Sequence, residues 1–246
     1  LMVVVPAFRL GWLSASGGIS ALVVGSVTLT AGGWRAAAVL LTFFVTSSVL
    51  SRWRAERKKR MEFLTARGIR RGAGQVLANG GVATLSIALY LLTGEDRWWL
   101  AFAGAYAAAN ADTWSSEIGA LSPTPPRHLL TGKRVQTGDS GGVTPLGLLA
   151  GGTGSLLVAI VAGVLVPLPF SQVAWVAIGG FVASLVDSLL GATAQVVYRC
   201  IRCGEQVESA RHCASPAQYA GGWRWVTNET VNLLCTITGA GLALLG

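Results

Sequence analysis

Pro145-Leu-Gly-Leu-Leu-Ala-Gly-Gly-Thr-Gly-Ser-Leu-Leu-Val-Ala-Ile-Val-Ala-Gly-Val-Leu-Val166 runs without a single charged residue. About 20 such residues cross the hydrocarbon core of a bilayer as a helix. Applied to the rest of the chain, the same criterion predicts seven spans: Ser14–Thr30, Trp34–Ser51, Val76–Leu92, Trp98–Ser116, Pro145–Val166, Val173–Val197 and Thr230–Leu245. The composition agrees. Apolar residues make up 52%, charged residues 12%, and the mean hydropathy is +0.56, whereas a soluble domain carries about a quarter charged residues. The expected fold is all-α: a polytopic helical bundle of about seven transmembrane helices, forming one domain over residues 1–246. The first span is short and Gly-rich, but no small-residue cleavage site with a hydrophilic mature domain follows it. A cleaved signal peptide is therefore not expected.

Orientation follows from the basic residues. With the N-terminus cytoplasmic, 19 Lys and Arg distribute so that only Arg35 and Arg97 fall on the far side. The densest run is Arg52, Arg54, Arg57, Lys58, Lys59, Arg60, Arg67, Arg70 and Arg71. It either meets anionic headgroups or forms a solvated loop face. The net charge of +8 thus reads as positive-inside topology, and no nucleic-acid partner is expected.

Acidic groups in spans are costly and tend to mark sites or internal pairs. Of 11 acids, Asp112, Glu117, Asp139, Asp187 and Glu229 all fall at the cytoplasmic face of this topology. Asn110-Ala-Asp-Thr-Trp-Ser-Ser-Glu117 places Asn110, Thr113 and Glu117 on one helical stripe and Asp112 and Ser116 on another. These oxygen donors suit Mg²⁺ and phosphate; an interhelical hydrogen-bond cluster is the structural alternative. Within the cytoplasmic loop near 117–144, Gly132-Lys-Arg-Val-Gln-Thr-Gly-Asp-Ser-Gly-Gly-Val-Thr144 offers Gly138, Asp139, Ser140, Gly141 and Gly142 as a phosphate cradle. Lys133 and Arg134 would supply countercharge, and a flexible turn is the alternative. It is no Walker A loop, since Arg127 and Arg134 stand where Gly and Ser or Thr would be needed.

Ser184, Asp187, Ser188, Gly191 and Gln195 form a small or polar stripe on the sixth span. The loop near 198–227 carries Cys200, Cys203, His212 and Cys213, a set that fits structural Zn²⁺ at a reducing cytoplasmic face. Asn228, Glu229 and Asn232 open the last span, where N-capping alone would account for Asn228. Asn79 belongs to the same polar set, and Cys235 reads as a core thiol. Trp53, Trp98, Trp99, Trp223 and Trp225 are expected at the membrane interfaces.

The residues 110–119 (Asn-Ala-Asp-Thr-Trp-Ser-Ser-Glu-Ile-Gly), 137–143 (Thr-Gly-Asp-Ser-Gly-Gly-Val), 184–193 (Ser-Leu-Val-Asp-Ser-Leu-Leu-Gly-Ala-Thr) and 228–234 (Asn-Glu-Thr-Val-Asn-Leu-Leu) together resemble the domain-of-unknown-function 92 family. The resemblance runs from about Asn79 to the C-terminus. That family includes phytyl-phosphate kinases of plants and cyanobacteria, and the Cys/His loop is similar to that of prokaryotic members. The resemblance implies an enzyme, a kinase that transfers a phosphoryl group from a nucleoside triphosphate, CTP by family expectation, to phytyl or geranylgeranyl phosphate. Asp112, Asp187 and Glu117 would be its catalytic acids, with Mg²⁺ on Asp112 and Asp187. Asn79, Asn110, Thr113, Ser116, Lys133, Arg134, the Gly138–Gly142 loop, Ser188, Asn228 and Asn232 would bind substrate and nucleotide. The implied location is a prokaryotic plasma membrane, with membrane lipids around the spans and the active site facing the cytoplasm.

Two other classes use similar parts. A lipid transporter or scramblase would place polar groups near the midplane with paths to both sides, and no inverted repeat is apparent. A lipid-phosphate nucleotidyltransferase would need nearly the same residues and release pyrophosphate instead.

Overall fold

The computed structural model describes residues 4–64 and 70–246. Arg67 and the side chains of Lys59 and Arg60 lie outside the described residues. The helices are α1 (Val4–Arg9), α2 (Ala15–Arg52), α3 (Ala55–Leu64), α4 (Ala73–Thr93), α5 (Arg97–Gly119), α6 (Pro145–Leu165), α7 (Phe170–Thr193) and α8 (Asn228–Ala243). Helix α5 is central. It packs on α2, α4, α6, α7 and α8, and every residue from Trp99 to Asp112 is buried. Small residues make this possible by letting helices approach closely. A Cβ on Gly180 would lie 2.8 Å from the Ala107 backbone, and one on Gly239 would lie 2.6 Å from the Gly104 carbonyl.

Helix α2 is a hairpin. Straight, its 38 residues would span about 57 Å at 1.5 Å per residue. Instead Arg52 Nη2 donates to the Gly11 carbonyl at 2.6 Å, so the two ends of α2 stand side by side. The reversal falls at Gly33 (φ 64°, ψ −161°), a backbone conformation that glycine adopts without a Cβ penalty.

Two expectations need correction. Four helices among the described residues are long and apolar enough to cross a membrane, α2, α4, α6 and α7, not seven. The predicted first and second spans are the two arms of α2 and count once. Helix α5 is diluted by Ala and by its polar end, as befits a helix enclosed by protein on all sides, and α8 has only 16 residues. The fold is also not all-α. Strands β1 (Arg127–His128) and β2 (Gly142–Val143) pair antiparallel. Strands β3 (Val197–Cys200), β4 (Gln206–Val207), β5 (Arg211–His212) and β6 (Ser215–Gly221) form a sheet in the order β4-β3-β6-β5. Trp99, expected at an interface, is 1% exposed and packs against Phe102 in the core, whereas Trp53, Trp223 and Trp225 are exposed.

All the long connections gather at one end of the bundle. Ser14 N–H donates to the Arg71 carbonyl there at 3.1 Å, Gly74 faces Glu229, Gly119 faces Thr144, and Gly141 packs on Ala192. The starts of α2, α4, α6 and α8 and the ends of α2, α5 and α7 therefore share that end.

Candidate functional site

A cavity of about 120 Å³ opens at this end. Helix α5 contributes Asp112, Ser115 and Ser116, and α7 contributes Ser184, Asp187, Ser188 and Gly191. The loop from Thr137 to Thr144 forms another wall, and Gln195 and Glu208 complete it. The i, i+4 spacing of Asp112 and Ser116, and of Ser184 and Ser188, puts each pair on one helical face.

The loop is built to approach α7 closely. Gly138 (φ 99°) and Gly141 (φ 77°) take left-handed conformations, and a Cβ on Gly141 would lie 2.7 Å from Ala192 Cα. Asp139 Oδ2 accepts from Gln136 N–H at 2.8 Å, fixing the turn from within. Leu129 N–H donates to the Gly141 carbonyl at 2.9 Å, which ties the loop to the β1–β2 hairpin. Thr144 caps α6 by accepting from Gly147 N–H at 3.0 Å, with Pro145 in the first turn. The positive end of the α6 dipole thus borders the cavity, where it favours an anion.

Of the residues singled out from sequence, the cavity brings together Asp112, Ser116, Gly138, Asp139, Ser140, Gly141, Gly142, Asp187 and Ser188. Ser184, Gly191 and Gln195 of the predicted stripe line it too, and the remaining residues lie elsewhere. Asn110 is a clamp between helices: its Oδ1 accepts from Thr46 Oγ1 (3.1 Å) and Ser47 Oγ (3.2 Å), and its Nδ2 donates to the Gly154 carbonyl (2.8 Å). Thr113 Oγ1 donates back to the Ala109 carbonyl. Glu117 pairs with Lys58 at 2.6 Å, and the same ammonium donates to the Leu50 carbonyl at the end of α2. Lys133 and Arg134 are exposed on the β1–β2 hairpin, away from the cavity lining. Asn79 lines a separate apolar cavity between α2 and α4. Asn228 and Asn232 are buried on α8, whose N-cap is Thr227, not Asn228. Sequence reading missed Ser115 and Glu208 as lining residues. The i+3 step from Asp112 could have found Ser115; no spacing marks Glu208.

The Cys/His loop folds into the four-stranded sheet. The ligand atoms of Cys200, Cys203, His212 and Cys213 all lie within 4.8 Å of one another. A tetrahedral zinc with bonds of about 2.3 Å sets sulfur ligands roughly 3.8 Å apart, so the set fits that ion. Gly204 (φ 74°) turns the chain after Cys203, and Gly204 N–H donates to the Cys200 carbonyl at 2.9 Å. Positive φ at Cys213 and Ala214 folds the chain back, which lets adjacent His212 and Cys213 face one point. His212 Nδ1 lies 3.3 Å from Cys213 Sγ and 3.6 Å from Cys203 Sγ. Its Nε2 lies 2.8 Å from the Phe63 carbonyl, the partner that leaves Nδ1 free to ligate. Hydrogen bonding from Cys203 N–H, then His212, lowers the Cys200 thiol to about 6, favouring the thiolate a metal needs. Burial, first among several causes, pushes Cys213 up to about 11.

The architecture defines an integral membrane protein with a polar, acid-lined cavity at one end of an apolar bundle. The chain belongs to the DUF92 integral membrane protein family, whose model matches residues 1–240. It is 38% identical to Protein PGR of Arabidopsis thaliana over 208 residues, covering 74% of this chain and 72% of that protein. It is 33% identical to the uncharacterized membrane protein MJ0933 of Methanocaldococcus jannaschii over 184 residues, 73% of this chain and 74% of that one. Protein VTE6, chloroplastic, of Arabidopsis thaliana is 24% identical over 238 residues, 95% of this chain and 65% of that one. No solved structure matches the chain.

Proposed function

We propose that the chain is a CTP-dependent prenyl-phosphate kinase whose site faces the cytoplasm. The observation that supports this most is the convergence of Asp112, Asp187, Ser116, Ser188 and the Gly138–Gly142 loop on one cavity beside a helix N-terminus. Family membership supports the activity class, since the resembling motifs are those of a family that includes phytyl-phosphate kinases. Most of the basic residues fall at the end that gathers the long connections, and by the positive-inside bias that end is the cytoplasmic side.

Phosphoryl transfer needs positioning and charge neutralisation more than covalent participation by protein. Asp112 and Asp187 would hold Mg²⁺, which when bound neutralises charge on the transferred group. The backbone N–H groups of the glycine loop and the α6 terminus orient the nucleotide phosphates, and Lys133 and Arg134 on the hairpin above draw the nucleotide in. An oxygen of the lipid monophosphate attacks the terminal phosphorus, the bond to the neighbouring phosphate breaks, and nucleoside diphosphate leaves. The monoester is already an oxyanion, so the chain need not supply a base. An apolar groove along α6 and α7, lined by Leu148, Leu149, Leu156 and Phe181, meets the cavity at Leu148 and receives the isoprenoid chain from the bilayer. Cys200, Cys203, His212 and Cys213 hold a structural Zn²⁺.

The test is an assay of detergent-purified protein with geranylgeranyl phosphate and Mg²⁺ against CTP, UTP, ATP and GTP separately. Prenyl diphosphate with stoichiometric nucleoside diphosphate is expected, fastest with CTP. Pyrophosphate release would replace the kinase with a nucleotidyltransferase, and no turnover in folded protein would remove phosphoryl transfer to this lipid.

A further inference from the structure

Glu208 lies in the connection from β4 to β5, between the ligand pairs Cys200/Cys203 and His212/Cys213, yet it lines the helical cavity. Its Oε1 accepts from Ser140 Oγ at 3.4 Å. Its Oε2 is buried and has no hydrogen-bond partner among the described residues. A carboxylate oxygen withdrawn from water without a donor is costly unless a cation meets it. A second group points to a ligand independently. Gln195 is 5% exposed, lines the same cavity, and its Nε2 donor also lacks a partner. An unfilled anionic acceptor and an unfilled donor in one cavity complement a cation with an anion bound to it.

We infer that Glu208 is a cation ligand of this cavity, and that the Cys/His sheet is the element that places it there. This rests on the proposal that the cavity binds a divalent cation with phosphate. The sheet is anchored on both sides of Glu208. Val207, its neighbour, is 2% exposed and pairs with Tyr198 of β3. His212 Nε2 meets the Phe63 carbonyl of α3 at 2.8 Å, and α3 is joined to the end of α5 through Lys58 and Glu117. By holding a metal, Cys200, Cys203, His212 and Cys213 would close the loop that carries Glu208 and tie it through α3 to α5, which carries Asp112. Glu208 is a ligand by this inference, whereas the four cluster residues are positioning residues.

The experiment measures Mn²⁺ binding to the detergent-purified full chain by electron paramagnetic resonance, with zinc content and thermal unfolding recorded for each variant. Glu208→Gln keeps the acceptor for Ser140 and removes only the charge. It is expected to raise the Mn²⁺ dissociation constant about tenfold or more, with zinc content and unfolding unchanged. Cys203→Ser is expected to lose zinc and weaken Mn²⁺ binding to a similar extent. The double variant should be no weaker than either single, because both act on one group. Wild-type affinity in Glu208→Gln, with binding abolished in Asp187→Asn, overturns the role of Glu208 and leaves the cavity's cation site standing. No Mn²⁺ binding by the wild-type chain removes both. Unchanged affinity in a folded, zinc-free Cys203→Ser overturns the positioning role of the sheet; if that variant fails to fold, Glu208→Gln alone decides.

Discussion

Two cavities flank α5, and they are chemical opposites. The one at the end of the bundle, about 120 Å³, is walled by carboxylates, hydroxyls and loop backbone. The other, about 410 Å³, lies between the arms of α2 and α4 and is lined mainly by Leu13, Leu22, Val24, Leu40, Phe43 and Phe44. Both use α5, through Asp112 in one case and Tyr106 in the other, six residues and about 9 Å of helix apart. Size does not mark the site. An apolar bundle leaves large dry spaces wherever helices diverge, and these cost little in lipid. A small cavity walled by two buried aspartates is the costlier feature of a membrane bundle, and acids withdrawn into spans tend to mark functional sites.

The largest effect expected follows from that contrast. Asp112→Asn and Asp187→Asn, near-isosteric changes, should each lower turnover about 10²–10³-fold while leaving the unfolding temperature within a few degrees. Full turnover in either variant would break the assignment of the polar cavity to chemistry.

Next comes an acid that serves the fold. Lys58 and Glu117, 2% and 14% exposed, pair across α3 and α5. Among the described residues, Lys58→Met leaves Glu117 with only the Arg52 guanidinium for countercharge and should destabilise the protein by about 1–3 kcal/mol in detergent unfolding. The Lys58→Met/Glu117→Gln double variant should recover much of that loss, and Glu117→Gln alone should keep turnover within a few fold. A loss of turnover as large as that of Asp112→Asn, in folded protein, would return Glu117 to the site.

A third test concerns how the loop seats. Gly141 has φ 77°, and a Cβ there would lie 2.7 Å from Ala192 Cα. Gly141→Ala should lower kcat/KM for the nucleotide about tenfold through a displaced loop, with about 1–3 kcal/mol of backbone strain. Gly132 also has positive φ but nothing within 4 Å of a built Cβ. Gly132→Ala therefore isolates strain from contact and should spare nucleotide kcat/KM.

Sequence made the bundle legible because apolar length is a one-dimensional signal, and the motifs at 110–119, 137–143 and 184–193 do meet at one cavity. What it left illegible is contact between distant segments. Nothing in the order of residues reveals that Lys58, inside a basic run that reads as headgroup-facing or solvated, turns inward to meet Glu117. Helical spacing grouped Asn110 with Thr113 and Glu117, yet the three have separate partners, since a stripe names a face and not what covers it. The all-α expectation failed at 197–221 for a related reason. Those short strands owe their pairing to the turns at Gly204 and Cys213 and to the convergence of four ligand atoms, not to an alternating pattern. Glu208 was hidden in the same place.

The smallest effect tests the other side of the comparison. Gly25 lines the apolar cavity, and a Cβ there meets nothing within 4 Å. Gly25→Leu adds apolar volume to empty space and removes a poor helix former from an arm of α2. Unfolding should shift upward by about 0.5–2 kcal/mol, as for other cavity-filling changes. Turnover with geranylgeranyl phosphate should stay within twofold, because the isoprenoid chain is assigned to the groove along α6 and α7, where Gly152 faces Phe181. A raised KM for long prenyl chains in Gly25→Leu, with a short-chain phosphate unaffected, would move the chain across α5 into the larger cavity. The polar site would then be reached from the α2–α4 side, and the two cavities would be two halves of one path.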